Sequence, residues 1–174
     1  CMNTPVHAIA NVTLHPAARP VIEALMQPYL HDFSEHAPLG SPHGEVDESG
    51  RFTGPDLDPY WRDPHHSAFL IRADTRIAGF ALVNRWSALG QPVDHAVAEF
   101  CVLRKYRLAR VGTRAARLIF AARPGVWEVP VAAYNQDGIN FWRAVARGLP
   151  VRVQERDGDG TRWRGPVLCF HWPA

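Results

Sequence analysis

The chain has 174 residues, of which 47% are hydrophobic and 21% charged, a size and composition that fit one domain with a buried core and argue against disorder. A formal net charge of only +2 excludes a general electrostatic affinity for nucleic acid or membrane surfaces. The charge is unevenly placed: six acids against Arg51 and Arg62 between His43 and Asp63, then seven cations and no acid between Cys101 and Trp127.

Three scattered cysteines, Cys1, Cys101 and Cys169, make neither a disulfide framework nor a zinc cluster, which points to a reducing compartment. No window approaches the roughly 18 apolar residues of a membrane helix and no secretory layout opens the chain, so a cytoplasmic protein is expected. Cys1, standing before Met2, reads as an expression scar and is left out of the fold reasoning.

In chain order, Val6 to Leu14 reads as a strand, followed by a helix carrying Val21, Ile22, Leu25, Tyr29 and Leu30 at helical spacing. Pro28 inside that stretch predicts a kink or break. Ala37 to Pro64 is rich in Pro, Gly and Asp, which predicts a long ordered loop. Ser67 to Trp86 forms two apolar runs about a turn at Ala73 to Thr75, a β-hairpin pattern, and Asp94 to Leu103 is apolar enough for a central strand. Val111, Ala115, Leu118, Ile119 and Ala122 mark a helical face that stops at Pro124 and Gly125. Val126 to Ala133 reads as a strand in which Pro130 predicts an edge position or a bulge. A helix from Gln136 closes at Gly148 and Pro150, and two last strands, Val151 to Glu155 and Trp163 to Trp172, flank the turn-forming Arg156 to Gly160. The order predicts an α/β (α+β) domain with a mixed central sheet of about six to seven strands flanked by helices.

The chemistry concentrates where the strand ending at Leu103 meets the helix near Val111. Helix N-termini present amides without intrahelical partners and a positive dipole end, and Arg104, Lys105, Arg107 and Arg110 add charge, so the junction is suited to an anion. Gly112 would let a phosphate approach the backbone.

The stretch Cys101 to Phe120, CVLRKYRLARVGTRAARLIF, resembles the phosphate-binding motif of the GNAT superfamily of acyltransferases, RxxGxG or RxxGxA after a central strand, with Arg107 and Gly112 at matching positions. Downstream, NQDGINFW resembles the second GNAT signature through Asn135, Gly138 and Phe141. With the element order, the resemblance spans about residues 6 to 148, and the region from Tyr29 to Pro64 looks like a small group of bacterial predicted acetyltransferases. Two positions depart from the pattern. Arg110 stands where the first motif glycine is usual; a left-handed backbone there would cost about 1 to 2 kcal/mol, which a helical conformation would avoid. Trp142 stands where many relatives carry a Tyr that protonates the departing thiolate, which indole cannot do.

The resemblance implies transfer of an acetyl group from acetyl-CoA to a primary amine by direct attack through a tetrahedral intermediate, without a metal. It implies that Cys101, Val102 and Leu103 pair with pantetheine in the manner of an added strand, and that Leu108, Ala109, Arg110, Val111, Gly112 and Thr113, with Arg107, surround the pyrophosphate. Asn135, Phe141 and Arg143 complete the expected coenzyme contacts. Glu99 is the expected general base, with a structural ion pair or a wet sheet edge as the alternative reading. Strand alternation sets Glu99 and Cys101 on one face and Phe100 and Val102 on the other. Tyr134 or solvent supplies the acid, and Cys101 is a core residue rather than a nucleophile. Trp61 and Trp86 are the tryptophans expected to line a substrate pocket, and the acidic loop would favour a cationic small amine. Arg114 and Arg117 are assigned to the solvent face of their helix. A metal between His31, Asp32, Glu35 and His36 at i,i+4 spacing is the weaker reading of that group. A protein lysine or N-terminus as acceptor and a non-catalytic acyl-CoA sensor are the alternatives; a nucleic-acid partner is not expected, and a homodimer is a family-level expectation.

Overall fold

The computed structural model describes residues 9–39 and 44–174. Cys1, Met2 and the first residues of the strand expected from Val6, like His43 at the head of the acidic stretch, lie outside them. Seven strands form one sheet in the order β1-β2-β3-β4-β5-β7-β6: β1 Val12–Pro16, β2 Ser67–Ala73, β3 Arg76–Asn84, β4 His95–Val102, β5 Gly125–Pro130, β6 Gln154–Asp157 and β7 Pro166–Trp172. All neighbours are antiparallel except β4 and β5. The helices are α1 Arg19–Ser34, α2 Pro59–Arg62, α3 Val111–Ala122 and α4 Gln136–Arg147.

One face of the sheet packs on α1 and α2 through Ile22, Met26, Leu57, Leu70, Phe80, Leu82 and Cys101. The other packs on α3 and α4, where Phe120, Trp127, Trp142, Val145 and Phe170 are all buried. As alternation predicts, Cys101 joins the first face, while Phe100 and Val102 pack on the second.

Several boundaries differ from the sequence reading. Helix α1 runs unbroken through Pro28. The helix-breaking effect of proline is one missing amide bond and a clash with the preceding turn; packing of Ile22 and Met26 into the core outweighs it here. Pro130 ends β5, which is interior in the strand order, yet β5 pairs with β4 only at Trp127 and Glu128 and has a free flank by the time Pro130 is reached. The strand expected at Val151 is displaced to β6, Gln154–Asp157. Arg114 and Arg117 are not a bare solvent face: Arg114 donates to the carbonyls of Ile9 and Ala10, and Arg117 to that of Gly148. The short helix α2 inside the long loop carried no periodic signal, because four residues span barely one turn.

Candidate active site

The parallel strands β4 and β5 meet only at His95↔Trp127 and Ala96↔Glu128. Beyond Ala96 they part, so the flank of β4 from Val97 to Val102 lacks a ladder partner on the β5 side. On its other side β4 stays paired with β3, with a register shift between Leu82 and Val83 that leaves Ala98 as an extra residue. The result is a V-shaped gap between two strands in the middle of the sheet, closed at Ala96 and open toward Val102.

At the open end the chain makes a one-turn 3-10 helix over Arg104–Tyr106 and then enters α3 through two left-handed residues, Leu108 at φ 65° and Arg110 at φ 58°. The helical backbone that sequence alone allowed for Arg110 is therefore not adopted: Arg110 is the N-cap of α3 in the left-handed region. Alternating hand turns successive amides toward one side and makes a concavity for an anion. Among the described residues, no backbone N–H from Leu108 through Thr113 has a hydrogen-bond partner. Leu108 itself stands fully in solvent, at 104% relative exposure.

Gly112 is also required by packing. A Cβ there would lie 2.9 Å from the Phe141 ring and 3.4 Å from Val102 Cγ2, so its missing side chain admits Phe141. Phe141 in turn stacks on Phe100 at 5.6 Å, which ties the start of α3, the middle of α4 and β4 together beside the gap. Asn135 is the N-cap of α4, its Oδ1 accepting from the Gly138 amide at 2.9 Å. Trp142, 7% exposed, packs edge-on against Phe100 and belongs to the core.

The arginines of the loop are held from α1. Arg107 Nη2 lies 2.6 Å from Asp32 Oδ2, Arg104 Nη2 lies 2.8 Å from Asp32 Oδ1, and Arg107 Nε donates to the Val102 carbonyl at 2.9 Å. Partial burial pushes the Asp32 carboxyl up, and the hydrogen bonds from Arg104 and Arg107 overcome this and hold it below the usual carboxylate range. Asp32, weighed above as a metal ligand, is instead the counter-ion of two loop arginines. Arg143 pairs with Glu155 of β6 at 2.5 Å.

On the α1 face, Tyr29 donates its hydroxyl to Glu99 Oε2 at 2.5 Å. Burial pushes the Glu99 carboxyl above the usual range and the bond from Tyr29 partly offsets it; burial, then the neighbouring Glu99 charge, push the Tyr29 phenol well above its ordinary value. Cys101, on the same face, is buried and its thiol is pushed up to about 12 by that burial, so it is a protonated core residue at neutral pH. Sequence alone places Tyr29 only on the apolar stripe of α1, not in the site. The available signal was its place on the apolar stripe with Ile22 and Met26, where a phenol needs a partner for its hydroxyl. Tyr134, 59% exposed in the turn after β5, faces His36 at 5.3 Å between ring centres.

The remaining expectations meet a different geometry. Trp61 is pinned through Nε1 to the Ala17 carbonyl, and Trp86 lies against Trp163 under Arg162; no hydrogen bond or ring contact joins either to Glu99. Three acids of the long loop are engaged locally: Asp47 accepts from Ser49 and Arg51, Asp58 pairs with Arg19 and Arg62, and Asp63 lies against His66. The loop packs along α1, where Gln27 exchanges two hydrogen bonds with Phe52. Among the described residues no group of three or more His, Cys, Asp or Glu side chains is placed to hold a metal.

No family model and no curated protein matches the sequence. Solved structures do match in fold. An acetyltransferase of the GNAT family from Staphylococcus aureus Mu50 aligns with a TM-score of 0.58 at 10% identity, over 92% of this chain and 99% of that one. An acetyltransferase from Thermus thermophilus aligns at 0.55 and 17% identity, over 96% and 99%. The PaiA N-acetyltransferase from Thermoplasma acidophilum, solved in complex with coenzyme A, aligns at 0.54 and 9% identity, over 93% and 99%. The chain has the GNAT acetyltransferase fold.

Proposed function

We propose that this protein is an N-acetyltransferase that takes the acetyl group of acetyl-CoA and transfers it to a primary amine of a small molecule. The observation that carries the reading is the gap between β4 and β5 leading into a left-handed loop whose amides, Leu108 to Thr113, have no partners among the described residues. These parts fit the coenzyme: on the free flank of β4 the Val102 amide is open to a pantetheine arm, while the Leu103 amide is bonded to the Ala78 carbonyl and the Val102 carbonyl to Arg107, and the unpaired amides with Arg110 suit a pyrophosphate. Acetyl-CoA brings the activated acyl group. Glu99, on β4 beside the gap, removes the proton from the attacking amine, and burial keeps its basicity above that of a surface carboxylate. The thiolate is protonated by solvent or by Tyr134, since Trp142 is enclosed in the core. Asp47, Asp58 and Asp63 of the acidic loop are engaged locally, so the loop by itself assigns no charge to the acceptor.

Two measurements test this. Coenzyme A should raise the thermal midpoint, as a specific ligand does by mass action, while an oligonucleotide of equal charge should not. Release of free thiol from acetyl-CoA across a panel of amines should then show turnover, and Glu99→Gln should lower kcat/KM about 100- to 10,000-fold with coenzyme binding kept. No stabilisation by coenzyme A would overturn the reading. Stabilisation without turnover on any amine would favour the acyl-CoA sensor.

A further inference from the structure

The pairing of Tyr29 with Glu99 crosses from α1 to β4 and is asymmetric. Oε2 is held at 2.5 Å by the half-buried Tyr29 phenol. Oε1 accepts from no described group, and Glu99 as a residue is half-buried rather than sealed in the core. One carboxylate oxygen is therefore anchored and the other has no bond among the described residues. The anchor is stiff: the Tyr29 ring is wedged between Phe33 at 4.7 Å and Phe80 at 5.6 Å, which fixes its hydroxyl over β4.

We propose that Tyr29 is a positioning residue for Glu99: by holding Oε2 it turns Oε1 into the gap and favours the ionised carboxylate there. The inference rests on the acetyltransferase reading above. The other titratable groups around the pair leave Tyr29 as the one group that bonds to the carboxylate. Tyr60 on α2 bonds to Asn84, and its phenol is pushed up to about 12 by burial; Cys101 is a neutral thiol; the charges of Asp32 and Arg107 face each other; Tyr134 stands in the turn after β5. A hydrogen bond to the charged form lowers a carboxyl pKa, here against the upward push of burial. Without Tyr29 that push stands alone, so protonation of Glu99 moves to higher pH.

The experiment is the pH dependence of kcat/KM for acetyl transfer in wild type, Tyr29→Phe and Glu99→Gln. Loss of a hydrogen bond to a charged group corresponds to about one to two pH units. The acidic limb of Tyr29→Phe should move up by that amount, giving a roughly tenfold or greater loss below the limb and recovery toward wild-type rate above it. A uniform loss at every pH with an unmoved limb would show that Tyr29 is only structural and would overturn the proposal. Site-specific fluorotyrosine at position 29 keeps the ring and strengthens the bond; its limb should move down, and an upward or absent shift counts against the proposal even if Tyr29→Phe folds poorly. Carbon-13 NMR titration of labelled glutamate in the unliganded protein reads the Glu99 carboxyl without turnover. If Tyr29→Phe raises that titration midpoint while no amine is acetylated, the pairing stands and the acetyltransferase reading falls; an unmoved midpoint removes the pairing's role whatever the activity.

Discussion

At the scale of single residues, the most unusual choice in the chain is Arg110. Its φ of 58° and ψ of 11° put an L-residue where the Cβ crowds the following carbonyl, a conformation that costs about 1 to 2 kcal/mol. Glycine there would remove the clash and add the entropy penalty of a freer unfolded chain, roughly 0.5 to 1 kcal/mol. Arg110→Gly should therefore stabilise the protein by about 0.5 to 1 kcal/mol, read as a rise in the urea midpoint at constant slope. A fall in the midpoint would show that the guanidinium contributes contacts exceeding the strain. The sequence exposed this question without answering it: Arg110 occupies a glycine's motif position, but one residue type in one chain does not report its backbone angles. Glu99 and Cys101 were legible because strand alternation has a rigid period of two. The Tyr29 hydroxyl was not, since the partner of a half-buried phenol, 70 positions away in sequence, depends on how α1 lies on the sheet.

At the scale of elements, α1 reaches both halves of the site, with Tyr29 on Glu99 and, one turn later, Asp32 on Arg104 and Arg107. The helix was legible from its spacing, and the i,i+3 relation follows from it. That Asp32 neutralises loop cations was hidden, because helical spacing points the residue toward a neighbour without naming one. The arrangement keeps an acid beside the loop proposed to hold a pyrophosphate. A pair of unit charges about 8 Å apart in water interacts by roughly 0.5 kcal/mol, so two phosphate charges relieved of Asp32 should gain about fivefold in affinity. Asp32→Asn is expected to bind coenzyme A more tightly by that factor in calorimetry, with the gain shrinking at high salt. Weaker binding would mean that Asp32 aims the arginines rather than competing for them. Stability should respond in the opposite sense. The folded-state pKa of Asp32 is lowered, so its stabilisation is present above the ordinary carboxylate range, and the deficit of Asp32→Asn seen at neutral pH should vanish as pH falls through the lowered value.

At the scale of the whole molecule, the sheet is two ladders, β1-β2-β3-β4 and β5-β7-β6, hinged where β4 and β5 share two residue pairs. A gap that stays open at one end requires the other end to be fastened, and the fastening is visible around Glu128. This carboxylate, 2% exposed on β5, accepts from Ser87 Oγ at 2.9 Å and from the Ala88 amide at 2.7 Å, both in the loop between β3 and β4. Asp94 repeats the device one step away: its amide donates to the Val126 carbonyl and its Oδ2 accepts from the Val126 amide. Gly125 makes room, since a Cβ there would lie 2.7 Å from Asp94 Oδ2. Removing the Glu128 carboxylate would leave the Ser87 O–H and the Ala88 N–H without their acceptor, at about 1 to 3 kcal/mol for each donor. Glu128→Ala should thus lose about 2 to 5 kcal/mol by chemical denaturation. Hydrogen exchange separates a clasp from a generic core residue: a clasp predicts faster exchange concentrated at residues 85–96 and in β5, with β1 and β2 unchanged up to the global limit. Acceleration spread evenly over all seven strands would instead make Glu128 an ordinary contributor to one undivided core.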